Sequence, residues 1–195
     1  MQSVEEECRP QPDHMGDGDS DIPLAVDMDG TLILSDMSWI SIYKVIFRKP
    51  WLIPSLLFKE ITGKRAKWKR DLAEKLNFDP ADLSYHENFL EWITGEYARG
   101  RTLILATASD RIVAEQVAAH VGLFSDVMAS DGDYNLRGQQ KADSLVARYG
   151  DKKFGYAGNS HHDIDVWKHS GQVIVVNPEN GLLDKIGDSA DVIFE

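Results

Sequence analysis

The feature that most limits how this chain can fold is a set of short runs that are apolar almost throughout. They are residues 22–28 (IPLAVDM), 102–106 (TLILA), 154–157 (FGYA) and 172–176 (QVIVV). A strand with one face in water alternates apolar and polar residues; a strand covered on both faces has no need to. Between the runs lie segments with helical spacing. Phe89, Leu90, Ile93 and Tyr97 share one side of a helix over 85–97 that Gly100 stops. Ile112, Val113, Val117 and Val121 do the same over 110–121. Further helices are expected over 138–149 and 163–169, a weak strand over 126–129 and an edge strand over 191–194. Alternating strands and helices predict an α/β domain whose parallel sheet is doubly wound, with helices on both faces.

In such a sheet the ligand sits beyond the carboxyl ends of the strands, so the residues there carry the chemistry. Asp27, Asp29, Gly30 and Thr31 follow the first strand; Thr107, Ala108 and Ser109 follow the second. Lys141 opens the helix after the weak strand, and Gly158, Asn159 and Asp163 follow the run at 154–157. Two carboxylates, a hydroxyl, an ammonium and an amide–carboxylate pair converge on one sheet edge. That set suits phosphoryl transfer: one carboxylate attacks phosphorus, a second moves a proton, and the ammonium and hydroxyl hold the equatorial oxygens. Simpler roles stand beside these. Thr107, Ser109 and Asp110 compete to cap the next helix, Lys141 could lie on a solvated helix face, and Asp131 and Asp133 read first as turn formers. His161 and His162 are not taken as ligands, and the five tryptophans are read as packing residues.

The strings VDMDGT (26–31), LILAT (103–107), GQQKADSL (138–145) and GNSHHD (158–163) resemble, in order, the four motifs of the haloacid dehalogenase superfamily. The resemblance runs from residue 22 to the C-terminus and implies a Rossmann-like core. It implies Asp27 as the nucleophile of an aspartyl-phosphate and Asp29 as general acid and base. Lys141 would be catalytic, and Thr107 and Ala108, with Gly30 and Thr31, would contact the phosphoryl group. Mg²⁺ would be held by Asp27, the Asp29 carbonyl, Asn159 and Asp163. The second carboxylate, Asp29, is needed to protonate an alcohol and not a halide, so the implied substrate is a phosphomonoester. Asn159 departs from the motif, which usually has Asp there; one charge fewer implies weaker Mg²⁺ binding.

The resemblance also divides the chain. Residues 22–35 and 85–195 would form the catalytic core, and 36–84 an inserted helical cap that selects the substrate. Residues 1–21, with seven acidic side chains and one basic, are read as a disordered tail. Within the insert, residues 44–75 carry ten basic side chains against three acidic ones, interleaved with Trp51, Leu52, Ile53 and Trp68. This is either a solvated helix face or a surface for an anionic substrate or lipid. Segments such as DMSWISIY and YAGNSHHDIDVW resemble phosphoserine-phosphatase-like domains fused to UbiA-type membrane prenyltransferases. That narrower likeness implies a small, lipid-linked phosphorylated substrate, a prenyltransferase or membrane surface as partner, and a cytoplasmic location at the inner membrane face. A weakly active accessory domain docking through the basic cap is the other reading.

A formal charge of −11 disfavours nucleic acid as a partner. One cysteine, Cys8, excludes an internal disulfide and fits a reducing compartment.

Overall fold

The computed structural model describes residues 22–34, 79–131 and 134–195. The acidic segment 1–21 lies outside the described residues, as do Asp133 and nearly all of the insert expected at 36–84, with Trp39 and Trp51.

Six strands form one parallel sheet in the order β3-β2-β1-β4-β5-β6. They are β1 (Leu24–Val26), β2 (Leu103–Asp110), β3 (Asp126–Ser130), β4 (Gly155–Gly158), β5 (Gln172–Val176) and β6 (Val192–Phe194). The helices are α1 (Glu87–Ala98), α2 (Arg111–Val121), α3 (Gln139–Tyr149), α4 (Ile164–Trp167) and α5 (Leu182–Ile186). This is the Rossmann-like, doubly wound architecture that the apolar runs predict.

Successive residues of the strands serve two different cores. Leu24 and Val26, Leu103 and Leu105, and Ile174 and Val176 pack with Phe89 and Ile93 of α1 and with Val113 and Val117 of α2. Their neighbours Ala25, Ala106, Val173 and Val175 pack with Leu145 of α3, Trp167 of α4 and Leu182 of α5. Period-2 geometry sends adjacent side chains to opposite faces, so a sheet roofed on both sides needs apolar residues at every position. Each Val, Leu, Ile or Phe among them, fully buried, contributes roughly 1.5–3 kcal/mol.

Helix boundaries follow local chemistry. The Asp110 side chain accepts from the Ile112 amide (3.0 Å) and caps α2, which settles the competition among Thr107, Ser109 and Asp110. Gly122, at φ 72°, ends α2 in the left-handed conformation. Strand β2 runs four residues past the expected 102–106. Its ladder with β3 skips from Thr107↔Ala129 to Asp110↔Ser130, and the irregularity carries Ala108 and Ser109 over the sheet edge. The polar cluster beneath the sheet is structural: buried Arg101 bonds Glu96 (2.6 Å), Gln172 (2.7 Å) and the Ile22 carbonyl (3.0 Å), and Glu96 also pairs with Arg99.

Strand β1 is central, and the chain winds from it first toward β3 and later, through β4, toward β6. The edge beyond β1 is therefore the switch point of the sheet, where two diverging connections leave a crevice. Across it, Asn177 leaves β5 with a left-handed φ of 45°. Its amide donates to the Phe194 carbonyl of β6 (2.7 Å) and its side chain to the Gly30 carbonyl (3.3 Å). Asp131 and Tyr134 exchange backbone hydrogen bonds at 2.9 Å, consistent with the turn expected there. Trp92 and Trp167 are packing residues, as read from the sequence.

Candidate active site

The crevice holds a cleft of about 230 Å³. Of the residues singled out in the sequence, Asp27, Asp29, Gly30, Ala108, Lys141, Asn159 and Asp163 line it. Thr31 and Thr107 do not; both are fully buried behind it. Thr31 Oγ1 has no hydrogen-bond partner among the described residues. Thr107 Oγ1 accepts from the Ser109 amide (3.0 Å) and lies 3.4 Å from Asp29 Oδ2. Its hydroxyl thus faces the second carboxylate and is not on the cleft wall.

Lys141 is only 3% exposed, which rules out a solvated helix face. Its ammonium donates to Asp27 Oδ1 and to the Tyr156 hydroxyl, both at 2.8 Å. Tyr156 in turn donates to Asp163 Oδ1 (2.6 Å). Burial pushes the Asp27 carboxyl up from 3.8 to about 7; Lys141 opposes the rise, and Asp163 and Asp29 add to it. Burial, with the Asp163 and Asp27 charges, also pushes the Tyr156 phenol well above its ordinary value of 10, so it remains a donor. Three carboxylates around one ammonium leave this crevice short of positive charge.

Asp29 is fixed by Ser109, whose hydroxyl donates to Oδ2 at 2.6 Å. Gly30 has φ 78°, and a Cβ there would meet the Asn159 side chain at 2.3 Å. Only glycine lets the first-motif turn pass under Asn159. Asp27, Asp29 and Asn159 bring hard oxygen donors to one cleft, the set that could hold a divalent cation of the Mg²⁺ type.

Asp163, expected as a metal ligand, lines the same cleft and also holds its own loop. Its Oδ2 accepts from the Asn159 amide (3.1 Å), the Ser160 amide (2.9 Å) and the Ser160 hydroxyl (2.9 Å). With Ser160 it closes a capping box on the turn His161–Asp163. A Cβ on Gly158 would lie 2.6 Å from the Asp163 carboxyl carbon, so that glycine keeps the loop folded on its own carboxylate.

Residues not singled out as site residues are Tyr156, Ser160, Arg137 and Glu179, the last three on the cleft wall. An aromatic inside an apolar strand reads as core, and Tyr156 does pack against Trp167. Ser160-x-x-Asp163 carries the spacing of a capping box and was legible on that ground. His162 lines the cleft, and the His161 amide donates to Glu179 (3.0 Å).

The fold and site together define an α/β domain of the Rossmann-like class with an acid-rich crevice at its switch point. A model of the haloacid dehalogenase-like hydrolases matches residues 24–168. The chain belongs to that family. It is 30% identical over 158 residues to a Sinorhizobium fredii (strain NBRC 101917 / NGR234) protein, y4nM, described as uncharacterized. The match covers 81% of this chain and 30% of y4nM, so the chain spans under a third of that relative. A Bordetella pertussis Tohama I protein of unknown function is similar in structure, with TM-score 0.68 and 16% identity over 89% of this chain and 97% of that one. A substrate-bound phosphoserine phosphatase gives 0.60 and 14%, over 89% and 92%. At these identities the likenesses establish the fold. Among the described residues no helix is long and apolar enough to cross a membrane.

Proposed function

We propose that this hydrolase is a Mg²⁺-dependent phosphatase acting on small phosphomonoesters through an aspartyl-phosphate at Asp27. The observation that carries the reading is the buried Asp27–Lys141 pair (2.8 Å) facing Asp29 across one cleft. Lys141 holds Asp27 Oδ1 and leaves Oδ2 to attack phosphorus in line with the departing ester oxygen. The P–O ester bond breaks as the Asp27–phosphorus bond forms, and Asp29 gives its proton to the leaving alkoxide. Asp29 then takes a proton from water, which attacks the aspartyl-phosphate and releases inorganic phosphate and free Asp27. Ser109 orients Asp29 for both transfers. Asp27, Asn159, Asp163 and the Asp29 carbonyl would hold Mg²⁺, which would neutralise charge on the phosphoryl oxygens. Asp163, on the same cleft wall, would ligate the metal through Oδ1 while its Oδ2 shapes the loop that presents Asn159. The Arg137 guanidinium on the cleft wall adds positive charge for an anionic substrate.

The test is hydrolysis of p-nitrophenyl phosphate with and without Mg²⁺, in wild type and Asp27→Asn. Mg²⁺-dependent turnover lost in Asp27→Asn is expected. No turnover over a panel of phosphomonoesters defeats the reading, and turnover surviving Asp27→Asn defeats the mechanism.

A second reading draws on the length of y4nM, of which this domain spans 30%. In a longer protein the domain would act on, or dock beside, a lipid-linked intermediate handled by a membrane prenyltransferase, with the 36–84 insert as the contact and the domain at the cytoplasmic face. Co-sedimentation with anionic vesicles at low salt, lost at high salt, is the expected result; no binding at low salt counts against it.

A further inference from the structure

We propose that Tyr156 is a positioning residue: its hydroxyl stands between Lys141 and Asp163 and so keeps the ammonium on Asp27. The effect on catalysis rests on the reading of Asp27 as nucleophile; the geometric part does not.

Two buried carboxylates compete for one ammonium. Lys141 Nζ is 2.8 Å from Asp27 Oδ1 and 3.9 Å from Asp163 Oδ1. At a separation of 3.9 Å, with little water between them, a carboxylate and an ammonium attract strongly and would close to a direct bond. The Tyr156 oxygen occupies that gap, 2.8 Å from Lys141 and 2.6 Å from Asp163. A phenol has one proton. Since it donates to Asp163, it must accept from Lys141, and the chain of bonds runs one way, from ammonium through phenol to carboxylate.

Both neighbours are thereby satisfied without touching. Asp163 Oδ2 is taken by three donors from the 159–160 loop, so Oδ1 is the oxygen that could draw Lys141 away. The phenol itself cannot drift. Its ring is fully buried on β4, edge-on to Trp167 at 6.3 Å between centroids. The Trp167 indole nitrogen donates to the Tyr156 carbonyl at 3.1 Å, fixing the backbone as well.

Removing the hydroxyl leaves Asp163 Oδ1 without its donor and Lys141 without one acceptor. A shift of the ammonium by about 1 Å toward Asp163 would mend both, at the expense of Asp27.

The experiment has two arms. The first measures kcat/KM for p-nitrophenyl phosphate with saturating Mg²⁺ in wild type, Tyr156→Phe, Asp163→Asn and the double variant. Tyr156→Phe is expected to lower kcat/KM by about tenfold or more in the wild-type background and by less than about threefold in Asp163→Asn, where no second carboxylate draws Lys141 from Asp27. A loss from mere loosening of the core would be the same in both backgrounds, and that additive result would overturn the proposal. The second arm is the metal-free crystal structure of Tyr156→Phe. Lys141 is expected about 3 Å from Asp163 and out of hydrogen-bond reach of Asp27. Lys141 still bonded to Asp27 would overturn the proposal. This arm decides it even where the wild type hydrolyses no phosphomonoester, an outcome that would end the phosphatase reading alone. If Tyr156→Phe does not fold, the double variant decides: folding restored by Asp163→Asn supports the competition, and failure of both refutes it.

Discussion

Replacing the proposed nucleophile should stabilise the metal-free protein, and by an amount that depends on pH in a defined way. Asp27 lies 8% exposed beside one ammonium and two other carboxylates, and its carboxyl is raised from 3.8 to about 7. The folded state therefore keeps a proton that the unfolded chain loses above pH 3.8. Between about pH 4 and pH 7 the folded state binds more protons than the unfolded one, so stability falls as pH rises. At about 1.4 kcal/mol per tenfold difference in proton affinity, the full penalty on ionised Asp27 is roughly 4 kcal/mol above about pH 8. An asparagine side chain has the same shape as a protonated aspartic acid and never ionises. In urea unfolding with EDTA, the advantage of Asp27→Asn over wild type should grow by about 2–3 kcal/mol between about pH 5 and pH 8, then level off. Taking the difference between two proteins cancels the titrating groups that do not interact with Asp27. Saturating Mg²⁺ at about pH 8 should stabilise wild type far more than Asp27→Asn. A difference that does not change with pH, or that shrinks as pH rises, would refute the reasoning.

Other variants test separate links. Ser109→Ala removes the 2.6 Å bond that orients Asp29, and should cut kcat/KM by about tenfold for alkyl phosphates but little for p-nitrophenyl phosphate, whose leaving group needs no proton. Asn159→Asp adds a charge to the donor set and should lower the Mg²⁺ concentration for half-maximal activity severalfold; an unchanged or higher requirement contradicts the proposed shell. Gly30→Ala combines a left-handed φ with a 2.3 Å clash and should abolish turnover and remove about 2 kcal/mol or more of stability, read by urea unfolding. Glu96→Gln strips the buried Arg101 of its carboxylate and should cost about 3–5 kcal/mol while leaving KM unchanged.

Much of this was legible because the signals were local. Apolar runs marked β1, β2, β4 and β5, and the residues after them did gather at one edge, since parallel strands all end on the same side. What escaped depended on partners far along the chain. Thr107 is read as a phosphate ligand; its hydroxyl lies 3.4 Å from Asp29, and Ala108, at the register shift that follows Thr107, is the residue on the cleft wall. Asp163 is read as a metal ligand from its motif, and what the motif does not show is that its Oδ2 also holds its own loop while Oδ1 accepts from Tyr156. Tyr156 stood 15 residues from Lys141, within a run whose other members are plain core. Helix α5 spans five residues, too few to show a period.

The bond from Asn177 to Gly30 ties the turn that carries Asp27 and Asp29 to the last strand of the sheet. Strand β6 has three residues and one neighbour, so it should be among the first parts of the domain to open. When it opens, Asn177 loses the Phe194 carbonyl that holds it in a left-handed conformation, and its grip on Gly30 loosens. The rim of the sheet thus adds a tether to the nucleophile's turn, beside the turn's own Gly30–Ile33 and Ile33–Met28 backbone bonds. In native-state hydrogen exchange, the amide of Asn177 would follow the opening of β6, and that of Gly30, which donates to the Ile33 carbonyl at 2.8 Å, would report how far the turn loosens with it, though β1 lies three strands away from β6.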